Sequence, residues 1–431
     1  MAELNALLAD ARRLLSAGQP ALALQRFEEV LARDPDEAEA LNAVAVGALR
    51  NGQPAQAIAL FERRLARAPD DVVALHYLAQ AQLAGGDRAA ARSSWSALLR
   101  RFPDQFVSRL MLAQILEAEG DADAALPHYF RAITDAQRQG RWMSRNSIPR
   151  ALQAPVEHAM RTVNAGRRRL YDTLLEPLRT QFGRVAMQRV ERCLSIYLGE
   201  QRAVPADPRQ QPTFLFFPGL PTSPFLDRAQ VPELEALAAA TPAIVEELRG
   251  VMGSARGREK VFHAGEVERA NLAGTRGETP EWTGYYFHRA GEAREENRAA
   301  CPRTTAALDA LPLGHVRDHG PETLFSVLSA GTHLLPHRGV TNTRIVGHLP
   351  LIVPPDCALR VADVEHRWVV GEPILFDDTY LHEAWNRSDQ TRVVLIFDLW
   401  NPHLDLAERL AIAQLVAAIG DFRAASERLP A

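Results

Sequence analysis

Residues 18–35, GQPALALQRFEEVLARDP, set the register of the N-terminal third, because the pattern returns as GQPAQAIALFERRLARAP at 52–69, GDRAAARSSWSALLRRFP at 86–103 and GDADAALPHYFRAITDAQ at 120–137. Gly18, Gly52, Gly86 and Gly120 stand 34 residues apart. The same frame holds Ala23, Ala57, Ala91 and Ala125, then Phe27, Phe61, Trp95 and Tyr129, and the prolines Pro35, Pro69 and Pro103. Each unit reads as two amphipathic helices, with glycine at the turn between them and proline stopping the second, where its ring removes a backbone donor. The alanine column lets paired helices approach closely, and the aromatic column fills the space between successive pairs.

Period and columns together resemble the tetratricopeptide repeat, over roughly residues 3–136. That resemblance implies a solenoid whose concave surface holds a peptide or partner protein; the plainer alternative is a packing or oligomerisation scaffold. Residues 137–200 leave the register but keep apolar residues at helical spacing, as in PVEHAMRTVNAGRRRLYDTLLEPLRTQF, and are expected to form a helical bridge. Within it, Arg167, Arg168 and Arg169 are expected on a solvated helix face rather than in an anion site. Near Gln201 the composition turns to prolines and a short β-like run, RAVPADPRQQPTFLFFPGLPTSPF, which marks the main domain boundary. The expected layout is repeats at 1–136, bridge at 137–200, a β-rich domain at 201–403 and an amphipathic closing helix within 404–431.

Composition narrows the function. The 431 residues carry 49 basic and 53 acidic side chains, a net charge of -4, without a long run of either sign, which argues against a nucleic-acid partner. Cys193, Cys301 and Cys357 are far apart and odd in number, so no disulfide framework or cysteine-based zinc site is expected. The start, MAELNALLADARRLL, lacks a basic segment followed by an apolar one, and no window of about 18 apolar residues occurs, so a cytoplasmic protein without a membrane span is expected.

Eight of the 13 histidines fall between His315 and His403. The same stretch carries short β-branched and aromatic runs, LFSVLS, TRIVGHLPLIVP, ALRVAD, HRWVV, PILFDD and TRVVLIFDLW, separated by the turn residues of PPDC, GEP and NRSDQ. With no room for crossover helices, an antiparallel all-β body such as a double-sheet jelly roll is expected. His337, in GTHLLPHRGVTN, and His382, in FDDTYLHEAWN, lie 45 residues apart. Strand ends converge at the mouth of such a body, so the two can share a metal, and neutral imidazole is a good ligand for ferrous iron.

From Trp282 to Pro402 the chain resembles the aspartyl/asparaginyl β-hydroxylases, through EWTGYYF, CPRTTAAL, FSVLSAGTHLLPHRGVTNTRIVGHLPLIVP and RWVVGEPILFDDTYLHEAWNRSDQTRVVLIFDLWNP, with FFPGLPTSPF upstream. The resemblance implies an iron(II)- and 2-oxoglutarate-dependent hydroxylase that consumes O2. In it His337 and His382 match the iron-binding histidines. Arg392 matches the arginine that pairs with the far carboxylate of 2-oxoglutarate, and His348, Ser326 and Trp282 match further cosubstrate contacts. Many oxygenases place a carboxylate two residues after the first histidine; Gly339 stands there, as in this family, which leaves the third ligand position to water. Asp377 and Asp378 are candidates for orienting ligands rather than for ligation. Some relatives carry a basic residue where this chain has Val346; Arg344, on the same strand face by period two, is the candidate substitute. The implied substrate is an aspartyl or asparaginyl residue of a peptide or protein, delivered by the repeats. The rivals are the same chemistry on a lipid, free amino acid or small metabolite, and a non-catalytic repeat-based binding protein.

Overall fold

The computed structural model describes residues 2–253, 257–261, 271–274 and 279–429. Two compact units emerge, one of residues 1–167 with 422–431, the other of residues 168–421.

The first unit is built from helix pairs: α1 (Ala2–Ser16) with α2 (Pro20–Arg33), α3 (Ala38–Arg50) with α4 (Pro54–Arg67), α5 (Val72–Ala84) with α6 (Arg88–Arg101), and α7 (Phe106–Ala118) with α8 (Ala122–Arg138). The repeat columns explain the pairing. Gly18, Gly52, Gly86 and Gly120 all adopt positive φ at the turn within a pair, a conformation glycine takes without strain. Pro20 and Pro54 open their helices, where no backbone donor is needed, while Asp87 and Asp121 cap theirs by accepting from the Ala90 and Ala124 amides. Ala23, Ala57, Ala91 and Ala125 are fully buried beside Phe27, Phe61, Trp95 and Tyr129. Helix α9 (Arg150–Ala186) has a non-helical break at Gly183 and is followed by α10 (Gln188–Tyr197). Arg168 is not simply solvated, because it pairs with Asp172, Glu191 and Glu200.

In the second unit two open antiparallel sheets stack. The larger has the order β1 (Phe225–Leu226), β11 (Ile374–Phe376), β8 (Arg344–Ile352), β13 (Arg392–Trp400), β6 (Thr323–Leu328), β4 (Trp282–Arg289) and β2 (Arg258–Lys260), with β5 (Glu292–Ala293) also paired to β4. The smaller runs β10 (Val364–His366), β9 (Cys357–Val361), β12 (His382–Asn386), β7 (Thr332–His337) and β3 (Leu272–Gly274). Alternation along β13 assigns the two faces of the large sheet. Val393, Leu395, Phe397 and Leu399 join one core with Tyr285, Phe287, Phe325, Leu234, Ile244, Leu248 and Leu308. The helices of that core are α11 (Glu233–Ala239), α12 (Thr241–Met252) and α14 (Pro302–Asp309), with α13 (Glu295–Ala300) preceding α14. Val394 and Ile396 point the other way, to a second core with Leu334, Leu359 and Phe376 between the sheets.

Three expectations need correction. The body is not all β, since helices cover the outer face of the large sheet. The run HRWVV is strand only as far as His366, because the chain then leaves the ladder to bury Trp368. The β-like FLFF run makes a single bridge, Leu215 with Thr341; prolines on both sides remove the donors a longer ladder needs. The closing helix, α15, spans Leu406–Glu427.

Candidate active site

The inner face of the large sheet presents side chains to a cavity of about 490 Å³. Arg392 of β13, Ser326 of β6 and Trp282 of β4 cluster at one end with His348 of β8; Asp398, Arg344 and Glu322 cluster at the other; and Ile396, Val346 and Leu324 add apolar lining. Period two puts residues 392, 396 and 398 of β13 on one face and residues 344, 346 and 348 of β8 on one face.

His337 and His382 line the same cavity from the small sheet. His337 closes β7, His382 opens β12, and the two are direct cross-strand partners with ring centroids 4.1 Å apart. Each ring is tethered the same way: His337 Nδ1 donates to the Leu335 carbonyl at 2.8 Å and His382 Nδ1 to the Tyr380 carbonyl at 3.0 Å. A carbonyl can only accept, so Nδ1 carries the proton and Nε2 keeps its lone pair, the state a metal ligand requires. Burial, with His337 alongside, pushes the His382 pKa down to about 3, so this imidazole is neutral at physiological pH.

Asp378 approaches from the segment before β12. Its Oδ2 accepts from Arg344 at 3.1 Å, while its buried Oδ1 has no hydrogen-bond partner among the described residues. A Cβ built on Gly339 would fall 2.0 Å from the Asp378 Cγ. The Asp378 carboxyl therefore fills the space that a side chain two residues beyond His337 would need. Among the described residues no group of three or more His, Cys, Asp or Glu side chains could hold a metal ion. Asp377 does not line the cavity; it accepts from Gln210 Nε2 at 2.6 Å and from the Thr379 amide and hydroxyl, pinning residues near 210 to this strand end.

At the Arg392 end the polar groups are poorly satisfied. Arg392 is 2% exposed, has no carboxylate partner among the described residues, and reaches Ser326 Oγ through a hydrogen bond of 3.5 Å, a long one. Its Nε is buried and unpaired among them. Burial lowers its pKa to about 10, which leaves it charged at neutral pH. Trp282 Nε1 donates to Ser326 Oγ at 2.8 Å. Burial, then the Arg392 charge, holds the His348 pKa well below the usual value, and its Nδ1 is also buried without a partner among the described residues. A buried cation beside unsatisfied polar atoms is the chemistry of a carboxylate site.

The opposite end is internally balanced. Arg344 lies between Asp398 at 2.8 Å and Asp378 at 3.1 Å, so the candidate substitute for a basic residue at 346 is already neutralised. Glu322 accepts from the Ala290 amide at 2.7 Å, and burial, with Asp398 nearby, pushes its pKa up to about 7. Sequence reading did not single out Glu322, Asp398, Tyr286 or Trp368. Asp398 was reachable by counting in steps of two from Arg392; the others carried no local signal.

Residues 238–402 match the family described as aspartyl/asparaginyl beta-hydroxylase, and residues 8–72, 78–141 and 48–105 match tetratricopeptide repeats. Aspartate beta-hydroxylase domain-containing protein 2 of Mus musculus is 33% identical over 222 residues, 50% of this chain and 60% of that protein. Aspartyl/asparaginyl beta-hydroxylase of Homo sapiens is 30% identical over 136 residues, 31% of this chain and 18% of that protein. Ornithine lipid ester-linked acyl 2-hydroxylase of Rhizobium tropici is 40% identical over 125 residues, 28% of this chain and 42% of that protein. The chain spans between 51% and 60% of the length of the aspartate beta-hydroxylase domain-containing proteins it matches.

Proposed function

We propose that this chain, whose residues 238–402 match the aspartyl/asparaginyl beta-hydroxylase family and whose N-terminal part matches tetratricopeptide repeats, is an iron(II)- and 2-oxoglutarate-dependent hydroxylase built on a jelly roll of its two sheets. The observation that carries this reading is a charged, buried Arg392, without a carboxylate partner among the described residues, on the same cavity as two imidazoles whose Nε2 atoms keep their lone pairs.

His337 and His382 would hold the iron. When bound, ferrous iron supplies the activation of O2 that, with decarboxylation of 2-oxoglutarate to succinate and CO2, replaces a C–H bond by C–OH. The chain's own residues do the rest. The carbonyls of Leu335 and Tyr380 fix both rings in the ligating tautomer. Burial keeps protons from competing at His382. Arg392 offers its planar fork to the far carboxylate, with Ser326 held beside it by Trp282 and neutral His348 on the adjoining strand. Asp378, whose Oδ1 has no hydrogen-bond partner among the described residues, would orient a water beside the two imidazoles, and the apolar side chains of Ile396, Val346 and Leu324 would keep bulk water from the reacting centre.

The substrate we propose is the β-carbon of an aspartyl or asparaginyl residue in a peptide or protein. The repeats are read as its carrier or as a partner site: a cavity of about 780 Å³ in the first unit is lined by Val73, Tyr77, Met111 and Leu152 with His76 and Gln80. A second reading, oxidation of a lipid acyl chain, is favoured by the bacterial lipid hydroxylase among the relatives and by Val346 in place of a basic residue. We place the protein in a reducing, cytoplasmic compartment because Cys193, Cys301 and Cys357 are buried and unpaired. No described helix is long and apolar enough to cross a membrane.

Anaerobic addition of ferrous iron and then 2-oxoglutarate tests the assignment. A visible charge-transfer band that needs both additions, and that His337→Ala abolishes, is expected; no band in the unaltered protein rejects the reading.

A further inference from the structure

Trp368 follows β10 and is 5% exposed. One face of its indole meets the guanidinium of Arg392, whose Cζ lies 4.9 Å from the ring centroid, and the His348 ring centroid lies 5.9 Å away. A single side chain thus adjoins two of the four groups at the cosubstrate end of the cavity. Its Nε1–H is buried and has no hydrogen-bond partner among the described residues.

Arg392 needs such a neighbour. A guanidinium withdrawn from water without a counter-ion is held at a cost and is drawn toward any acceptor in reach. A carboxylate partner would relieve that cost but occupy the donors. The π-face of an indole attracts the cation through its quadrupole and leaves every N–H free for an incoming ligand. The geometry fits this division: the ring covers the guanidinium, Ser326 Oγ is 3.5 Å from it, and Nε is unpaired among the described residues.

We propose that Trp368 is a positioning residue of the cosubstrate site, its indole face holding the Arg392 guanidinium in place before the dicarboxylate arrives and thereby setting affinity for it. This rests on the assignment of Arg392 to 2-oxoglutarate made above.

Succinate formation by the full chain with ferrous iron, as a function of 2-oxoglutarate, compares the unaltered protein with Trp368→Leu and Trp368→Phe. Leucine fills space without a π-face, whereas phenylalanine keeps a face and loses the N–H. Trp368→Leu is expected to raise the KM for 2-oxoglutarate about tenfold or more, with kcat at saturation within about twofold, and Trp368→Phe to remain within about threefold of the unaltered KM. Calorimetric binding of 2-oxoglutarate to the Mn(II)-loaded proteins gives the same ranking without turnover. Unchanged KM and Kd in Trp368→Leu, or Trp368→Phe as impaired as Trp368→Leu, overturns the proposal. So does a loss of kcat and melting temperature with KM unchanged, the mark of a merely structural role. If the unaltered protein binds no 2-oxoglutarate, the assignment of Arg392 fails and takes the proposal with it; if it binds and Trp368→Leu binds equally well, only the role of Trp368 fails.

Discussion

Gly339 carries more of the site than its missing side chain suggests. A Cβ there would collide with the Asp378 carboxyl, and the Gly339 amide donates to the Asp378 carbonyl at 2.7 Å. Gly339→Ala is therefore expected to destabilise the protein by about 1–3 kcal/mol through overpacking, with Asp378→Ala in the same chain recovering part of the loss; thermal melts of the three proteins check this, and a Gly339→Ala protein as stable as the original contradicts it. Glu322 gives a pH signature. Its pKa is raised from 4.5 to about 7, so the folded chain holds this proton more tightly than the unfolded one. The stability it contributes is fully present below pH 4.5 and is lost as the pH rises through about 7. Glu322→Gln keeps an acceptor for the Ala290 amide and removes that loss, so its melting temperature should exceed that of the unaltered protein at pH 8, with the gap closing toward pH 4.5. An equal gap at both ends of the range contradicts the assignment. Arg392 and His348 were named through resemblance, and the structure brings both to one cavity with His337 and His382. The tethering of both histidines through Nδ1 was not legible in the sequence, because a bond to the carbonyl two residues back depends on side-chain orientation and leaves no mark in residue type; nor was the contact of Trp368 with Arg392, which depends on where a loop returns in space.

Among the elements, β13 and β8 illustrate what a sequence can and cannot announce. Both are buried on two faces and read as near-continuous apolar runs, so their existence was plain. Their closeness was not. Gly347 is the cross-strand partner of Phe397, and a Cβ on it would fall 2.0 Å from the phenylalanine ring. Gly347→Ala is expected to cost about 1–3 kcal/mol by overpacking, measured by denaturant unfolding; an unchanged midpoint would show that the ring can move aside. Strand β4 escaped reading as a strand because Gly284 interrupts its alternation, and HRWVV was read too long because a buried tryptophan in a loop looks like one in a strand. The repeat helices were the most legible elements, since four independent columns at one period leave little freedom.

For the molecule as a whole, the proposed chemistry lies within one of the two units: every residue lining the cavity falls between Val261 and Asp398. The repeats can then be weakened without touching the reaction centre. Phe61→Ala, in the core of the second repeat, should lower the stability of the first unit by about 3–5 kcal/mol while substrate-independent succinate formation stays within about twofold of the original; loss of both together would show that the units do not act separately. The most direct test of the central claim is succinate formation from 2-oxoglutarate by the purified chain with ferrous iron and ascorbate, beside His382→Ala and Arg392→Ala. Succinate from the unaltered protein that disappears in both variants is the predicted result. No succinate, together with no binding of iron or 2-oxoglutarate, would contradict the account and leave a non-catalytic, repeat-based binding protein in its place.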